Sequence, residues 1–138
     1  MNIPLTGGCV CGKIRFEVAG HPLMMMRCHC LPCQKVSGGP YTPIVVVGRK
    51  HVKFVKGEPK YYATPSKRDG TNMRGFCADC GSRINGAEDE TRPWMAFTAA
   101  SFDDSSWFKP TADVFTSHAQ IWDQLDPTTP QHKEYPPQ

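Results

Sequence analysis

The chain has 138 residues, 21% of them charged, with a formal net charge of +3. A positive charge this mild, with no basic cluster interleaved with aromatics, gives no ground for a nucleic-acid partner. Apolar runs such as residues 44–47 are far too short to span a bilayer, and the length fits a single domain over 1–138.

In chain order, residues 6–12 (Thr-Gly-Gly-Cys-Val-Cys-Gly) form a knuckle. Its glycines can take the positive φ that lets a backbone close around an ion. The first residues show no charged stretch followed by an apolar one, so no signal peptide is expected. Residues 13–18 alternate polar and apolar, the pattern of a strand with one buried face. A Gly20-His21-Pro22 turn leads into a second strand at 23–26, whose methionines read as adaptable core filler. Residues 34–37 make a helical turn, stopped by Gly38, Gly39 and Pro40. Residues 44–47 and 51–55, either side of Gly48-Arg49-Lys50, read as a hairpin.

A short strand is expected at 60–63, a polar loop at 64–71, and a run at 72–76 into a second knuckle, Cys77-Ala78-Asp79-Cys80-Gly81. Glu88-Asp89-Glu90 reads as a solvated acidic bend. Residues 94–99 are a strongly apolar strand, 102–105 start one helical turn, and 114–118 form the last strand. From Asp126 the tail has four prolines and no periodicity, which predicts surface coil. The result is a mainly β chain with one or two short helical turns.

The seven cysteines divide as four plus three. Cys28, Cys30 and Cys33 fall within six positions and bring three sulfurs to one point. Three soft thiolates suit a tetrahedral zinc with its fourth position open, the pattern of a catalytic site. A redox trio, a site empty in the resting protein, or a second structural zinc completed by His29 or His118, are the competing readings. His29 sits between two candidate ligands and in an extended segment would point away from them. Cys9 and Cys11 lie far in sequence from Cys77 and Cys80, each pair in a glycine-bearing turn. Together they make a four-sulfur structural zinc site; the alternative is a set of buried apolar thiols.

Two zincs per chain are therefore expected. Clustered cysteines without a secretory signal read as reduced metal ligands, which predicts a cytoplasmic protein. Lys35 can offset the charge of the trio, meet a substrate carboxylate, or simply be solvated. Ser37 and Gly38 can offer backbone N–H groups to an anion, or only end the helix.

The segments Gly8 to Phe16, Cys28 to Gly38 and Phe76 to Ser82 resemble the glutathione-dependent formaldehyde-activating enzyme family, whose domain centromere protein V shares. Ser101-Phe102-Asp103-Asp104 and the stretch from Val114 to Trp122 resemble its C-terminal half, so the likeness covers about residues 5–125. One departure is Gln34-Lys35 after Cys33, where family members often have arginine. The resemblance implies a β-tent of small antiparallel sheets. It implies a structural zinc at Cys9, Cys11, Cys77 and Cys80 and a catalytic zinc at Cys28, Cys30 and Cys33. It also implies addition of a small thiol such as glutathione to formaldehyde.

Those ligands suit that chemistry. An open zinc can hold a thiol as thiolate or polarise a carbonyl, and attack of sulfur on an aldehyde then needs mainly orientation. The expectation is a zinc-dependent carbon–sulfur lyase or thiol-adduct synthase acting on small molecules. The other possibility is a noncatalytic zinc-stapled module that binds a protein partner.

Overall fold

The alternation near the N-terminus does what its pattern requires: Ile14, Phe16 and Val18 are buried, while Arg15 and Glu17 stay half-exposed. The computed structural model describes residues 1–66, 70–87 and 91–136. Its strands are β1 (Leu5–Gly8), β2 (Arg15–Val18), β3 (Met24–Cys28), β4 (Thr42–Gly48), β5 (Val52–Lys56), β6 (Lys60–Ser66), β7 (Gly70–Phe76), β8 (Arg83–Ala87), β9 (Trp94–Thr98) and β10 (Asp113–Val114). One helix, α1 (Leu31–Ser37), follows β3, and short 3-10 turns cover Arg49–His51, Ala99–Ser101 and Thr116–His118.

The chain is mainly β, as its sequence predicts. A three-stranded sheet runs β1-β2-β5, and a seven-stranded sheet runs β10-β3-β4-β9-β8-β7-β6. The pairing of β10 with β3 is parallel; the others are antiparallel. The core lies where the sheets face each other: Leu5, Phe16 and Val18 from the small sheet meet Val45, Val47, Met95 and Phe97 from the large one. The Phe16 and Phe97 ring centroids are 4.5 Å apart, and Phe102 stands edge-on to Phe16 at 5.3 Å. Aromatic pairs of this kind add about 0.5–1.5 kcal/mol beyond the area they bury.

Several local expectations are corrected. Residues 44–47 and 51–55 do not form a hairpin. β4 is an interior strand flanked by β3 and β9, so both of its edges are taken. The Arg49–His51 turn instead carries β5 across to pair with β2. Arg49 fastens that turn, donating from Nε to the Arg92 carbonyl at 2.7 Å. The polar stretch 64–71 is largely strand: β6 and β7 pair from Lys60↔Phe76 to Ser66↔Gly70, and residues 67–69 lie outside the described residues. The acidic bend 88–90 also lies outside them.

The expected helical turn at 102–105 sits earlier, at Ala99–Ser101. The last strand stops at Val114, because Phe115 takes a left-handed conformation (φ 55°) and a 3-10 turn follows. β1 arises within and before the first knuckle, where no strand is expected. Its edge is recruited by β2, with Leu5 opposite Val18.

The tail is more than surface coil. Pro130, His132 and Glu134 accept backbone hydrogen bonds from Asp113, Thr116 and Phe115, and the His132 N–H returns one to Asp113. The Tyr135 ring packs edge-on to Phe115 at 4.8 Å. Among the described residues no helix is long and apolar enough to cross a membrane.

Candidate metal centres and cavity

The two glycine-bearing knuckles meet. Gly12 and Gly81 adopt positive φ (77° and 76°), and their N–H groups close onto the Cys9 and Cys77 carbonyls at 3.1 and 2.8 Å. This conformation suits glycine because it has no Cβ to clash. The closure aims the sulfurs of Cys9, Cys11, Cys77 and Cys80 at one point, all within 4.8 Å of one another. Lys13 and Asp79 bridge the knuckles at 3.3 Å, and the Val10 N–H reaches Ser82 Oγ at 3.1 Å. Ser82 also hydrogen-bonds Cys80 Sγ at 3.2 Å and pulls the Cys80 thiol down to about 5. Four sulfurs so arranged, with backbone N–H donors around them, fit a tetrahedral soft-metal site.

The other three cysteines gather where β3 runs into α1. Cys28 ends β3, paired with Thr42 on one side and Val114 on the other. Cys30 caps α1, its Sγ accepting the Cys33 N–H at 3.4 Å, and Pro32 lies in the first turn, where a missing N–H costs nothing. The helix begins at Leu31, three residues earlier than its sequence suggests, and ends at Gly38 in a left-handed cap. Cys28, Cys30 and Cys33 also lie within 4.8 Å of one another. Hydrogen bonds from Cys28 and Cys30, aided by the Arg74 cation, hold the Cys33 thiol far below its ordinary value. Bonding to Cys30 and Cys33 pushes the Cys28 thiol far up. Crowded sulfurs that cannot all ionise unaided are what a divalent soft cation relieves, so the donor set fits zinc here too.

Neither histidine completes the trio. His29 is 1% exposed and turns away from the sulfurs, with Nε2 bonded to Asp113 Oδ1 at 2.8 Å and Nδ1 lying 2.8 Å from Asp123 Oδ2. Asp113 also receives both ends of Arg27, at 2.8 and 2.9 Å. His118 Nδ1 accepts the Leu31 N–H at 3.3 Å. Gln34 acts as a clamp. It donates to the carbonyls of His29 and His118 at 2.7 and 3.0 Å and accepts from Gln120 at 2.9 Å. All seven cysteines are free.

The trio opens into a cavity of about 500 Å³ whose lining includes Cys28, Cys30, Cys33, Arg74, Arg83 and His118. Arg74, only 5% exposed, donates from Nη1 to Cys33 Sγ at 3.5 Å and from Nε to Thr64 Oγ1 at 3.0 Å. Burial and the neighbouring Arg74 charge lower Arg83 to about 10. Lys35, Ser37 and Gly38 are exposed on the far part of α1. Ser37 lines a second recess, and neither Lys35 nor Gly38 is among the residues lining the larger cavity. Sequence reasoning did not single out Arg74 and Arg83 as site residues. The available signal was an arginine inside a stretch leading into a metal knuckle, and pairing alone decides where it points.

A profile of the glutathione-dependent formaldehyde-activating enzyme family matches residues 4–118. The chain belongs to that family. A curated Halomonas elongata protein, whose name marks it provisionally as a glutathione-dependent formaldehyde-activating enzyme, is 30% identical over 120 residues, covering 80% of this chain and 72% of the relative. A crystal structure of a Rhodobacter sphaeroides protein aligns with TM-score 0.56 at 19% identity, over 71% of this chain and 87% of that one, and supports the fold. Both cysteine groups of this family member fall within the matched segment.

Proposed function

We propose that this chain is a carbon–sulfur lyase or thiol-adduct synthase that joins a small thiol of the glutathione type to an aldehyde such as formaldehyde. Cys28, Cys30 and Cys33 would hold a catalytic zinc, and Cys9, Cys11, Cys77 and Cys80 a structural one. When bound at the trio, zinc supplies a Lewis acid that favours thiolate over thiol and polarises a carbonyl.

The chain's own residues do the rest. The cavity walls exclude water and hold the two reactants in one orientation. Through its contact with Cys33, Arg74 would offset the net negative charge of three thiolates on one divalent ion. The His29–Asp113–Arg27 network and the Gln34 clamp fix the turn that presents the sulfurs. In the reaction a sulfur–carbon bond forms, the carbonyl π pair moves to oxygen, and the thiol's proton ends on that oxygen as the hydroxymethyl adduct. Reversal breaks the same bond.

One observation carries this reading: three convergent sulfurs with a buried cation line a cavity large enough for a small molecule. A noncatalytic scaffold has no use for that combination. The test is metal content by native mass spectrometry, with proton NMR exchange of thiol plus formaldehyde against the adduct. Two zincs and accelerated exchange are expected. Zinc-loaded protein that leaves the exchange rate unchanged across several thiols overturns the proposal.

A further inference from the structure

An antiparallel sheet with one face on the core ordinarily turns polar side chains to the other face. Strands β3, β4 and β9 do so only at the end nearest the three cysteines, with Thr42 and Thr98. Behind the core-facing Val45, Val47 and Met95, the opposite face presents Met24, Met26, Ile44, Val46, Trp94 and Ala96 to the cavity. Register sets these side by side: Met24 opposite Val46, Met26 opposite Ile44, Val46 opposite Ala96. Leu23 and Met24, 68% and 45% exposed, carry the apolar surface out to the mouth. Formaldehyde has no carbon chain to lay on such a wall, and glutathione is polar along its whole length.

Two guanidinium groups line the same cavity, those of Arg74 and Arg83. Arg74 is engaged with Cys33 and Thr64. Arg83 donates from Nη1 to the Gly75 and Asn85 carbonyls, which neutralise none of its charge, and its buried Nε has no hydrogen-bond partner. Among the described residues no carboxylate pairs with either cation.

We infer that the substrate of this cavity is an amphiphile, with a chain or ring of several carbons against the β3–β4–β9 wall and a carboxylate at Arg83. Its assignment as substrate rests on the carbon–sulfur reading above; its binding does not.

Isothermal titration of the zinc-loaded full chain with butanoate, octanoate and octylamine tests the inference. Each methylene taken out of water multiplies affinity roughly fourfold. With part of the chain seated, octanoate is expected to bind about tenfold or more tighter than butanoate, and tighter than octylamine by a similar factor. Arg83→Gln should erase the preference for carboxylate over amine and keep the chain-length dependence. Met24→Gln, at the exposed mouth, should reduce that dependence and keep the charge preference. Equal binding of butanoate and octanoate, or of octanoate and octylamine, by the unaltered protein overturns the inference even if Arg83→Gln fails to fold. Octanoate binding without any thiol-dependent exchange would sink the carbon–sulfur reading and leave the amphiphile site standing. Exchange with glutathione but no octanoate binding would do the reverse.

Discussion

Arg74 is a buried cation that donates to Cys33 Sγ and, behind the hydrogen bonds from Cys28 and Cys30, helps to hold that thiol low. Groups that orient metal ligands from behind typically cost about 10–100-fold in metal affinity when removed. Arg74→Met should therefore loosen zinc at the trio by about that factor, measured by competition with a chromophoric chelator, while Arg74→Lys recovers part of the loss. Unchanged competition would show that the trio holds its metal without the cation. Asp103 offers an electrostatic test. Its bonds to Arg15, with a further one from Thr6, hold its carboxyl at about 2 against an ordinary 3.8. A depressed carboxylate stabilises the fold above its unfolded value, so this contribution is complete above about pH 4 and fades as pH falls through about 2. The pair is partly exposed and worth less than ~1 kcal/mol. Thiolate ligands are protonated and release zinc before that pH is reached, so the pair is tested at pH 7: Asp103→Asn and Arg15→Met should each lower the melting temperature slightly, and the double variant by less than the two losses added. Strictly additive losses would refute the pairing.

At the scale of elements, the proposed reading gives the two cysteine groups different work. The four-sulfur group joins the residues before β2 to the β7–β8 turn, spanning 66 positions from Cys11 to Cys77. Structural zinc contributes ~10–16 kcal/mol of apparent binding energy, against ~5–15 kcal/mol of net stability for a whole domain. Cys77→Ser should unfold the chain or leave it insoluble. The trio closes only a short turn, so its loop-closure contribution is small. At Cys30 the cap on α1 is a sulfur that accepts one N–H, and serine caps helices at least as well. Cys30→Ser should stay folded, melt a few degrees lower and lose the second zinc with any thiol chemistry. Thermal melting read beside zinc content decides it: collapse of Cys30→Ser with a soluble, folded Cys77→Ser would mean the roles are reversed.

For the whole molecule, the tail closes the β10 edge of the large sheet. It accepts hydrogen bonds from the backbone of Asp113, Phe115 and Thr116, and Tyr135 lines the cavity beside Phe115. Backbone hydrogen bonds contribute ~0.5–1.5 kcal/mol net each. Removing residues 127–138 should lower the melting temperature by on the order of 10 °C. It should also speed amide exchange at 113–118. A truncated chain with unchanged melting and exchange would reduce the tail to an ornament of the surface.

The sequence by itself determined the cysteine partition. C-x-C and C-x-x-C spacings with adjacent glycines are local geometry, and local geometry needs no knowledge of distant chain. The mainly β character and the inward set Ile14, Phe16 and Val18 were legible for the same reason, since period-two alternation acts within one strand. Pairing was not legible. Residues 44–47 are apolar on both faces, so nothing in them distinguishes an interior strand from half of a hairpin, and β3 and β9 claimed both edges. Arg74 lies 41 positions from Cys33, and only the register of β7 with its neighbours brings its guanidinium to that sulfur. The tail's aperiodic composition concealed a ladder because its partners are backbone groups of residues 113–117, which any sequence can supply. What tertiary structure decided, then, was which edges meet, and with them the cavity, its cations and its apolar wall.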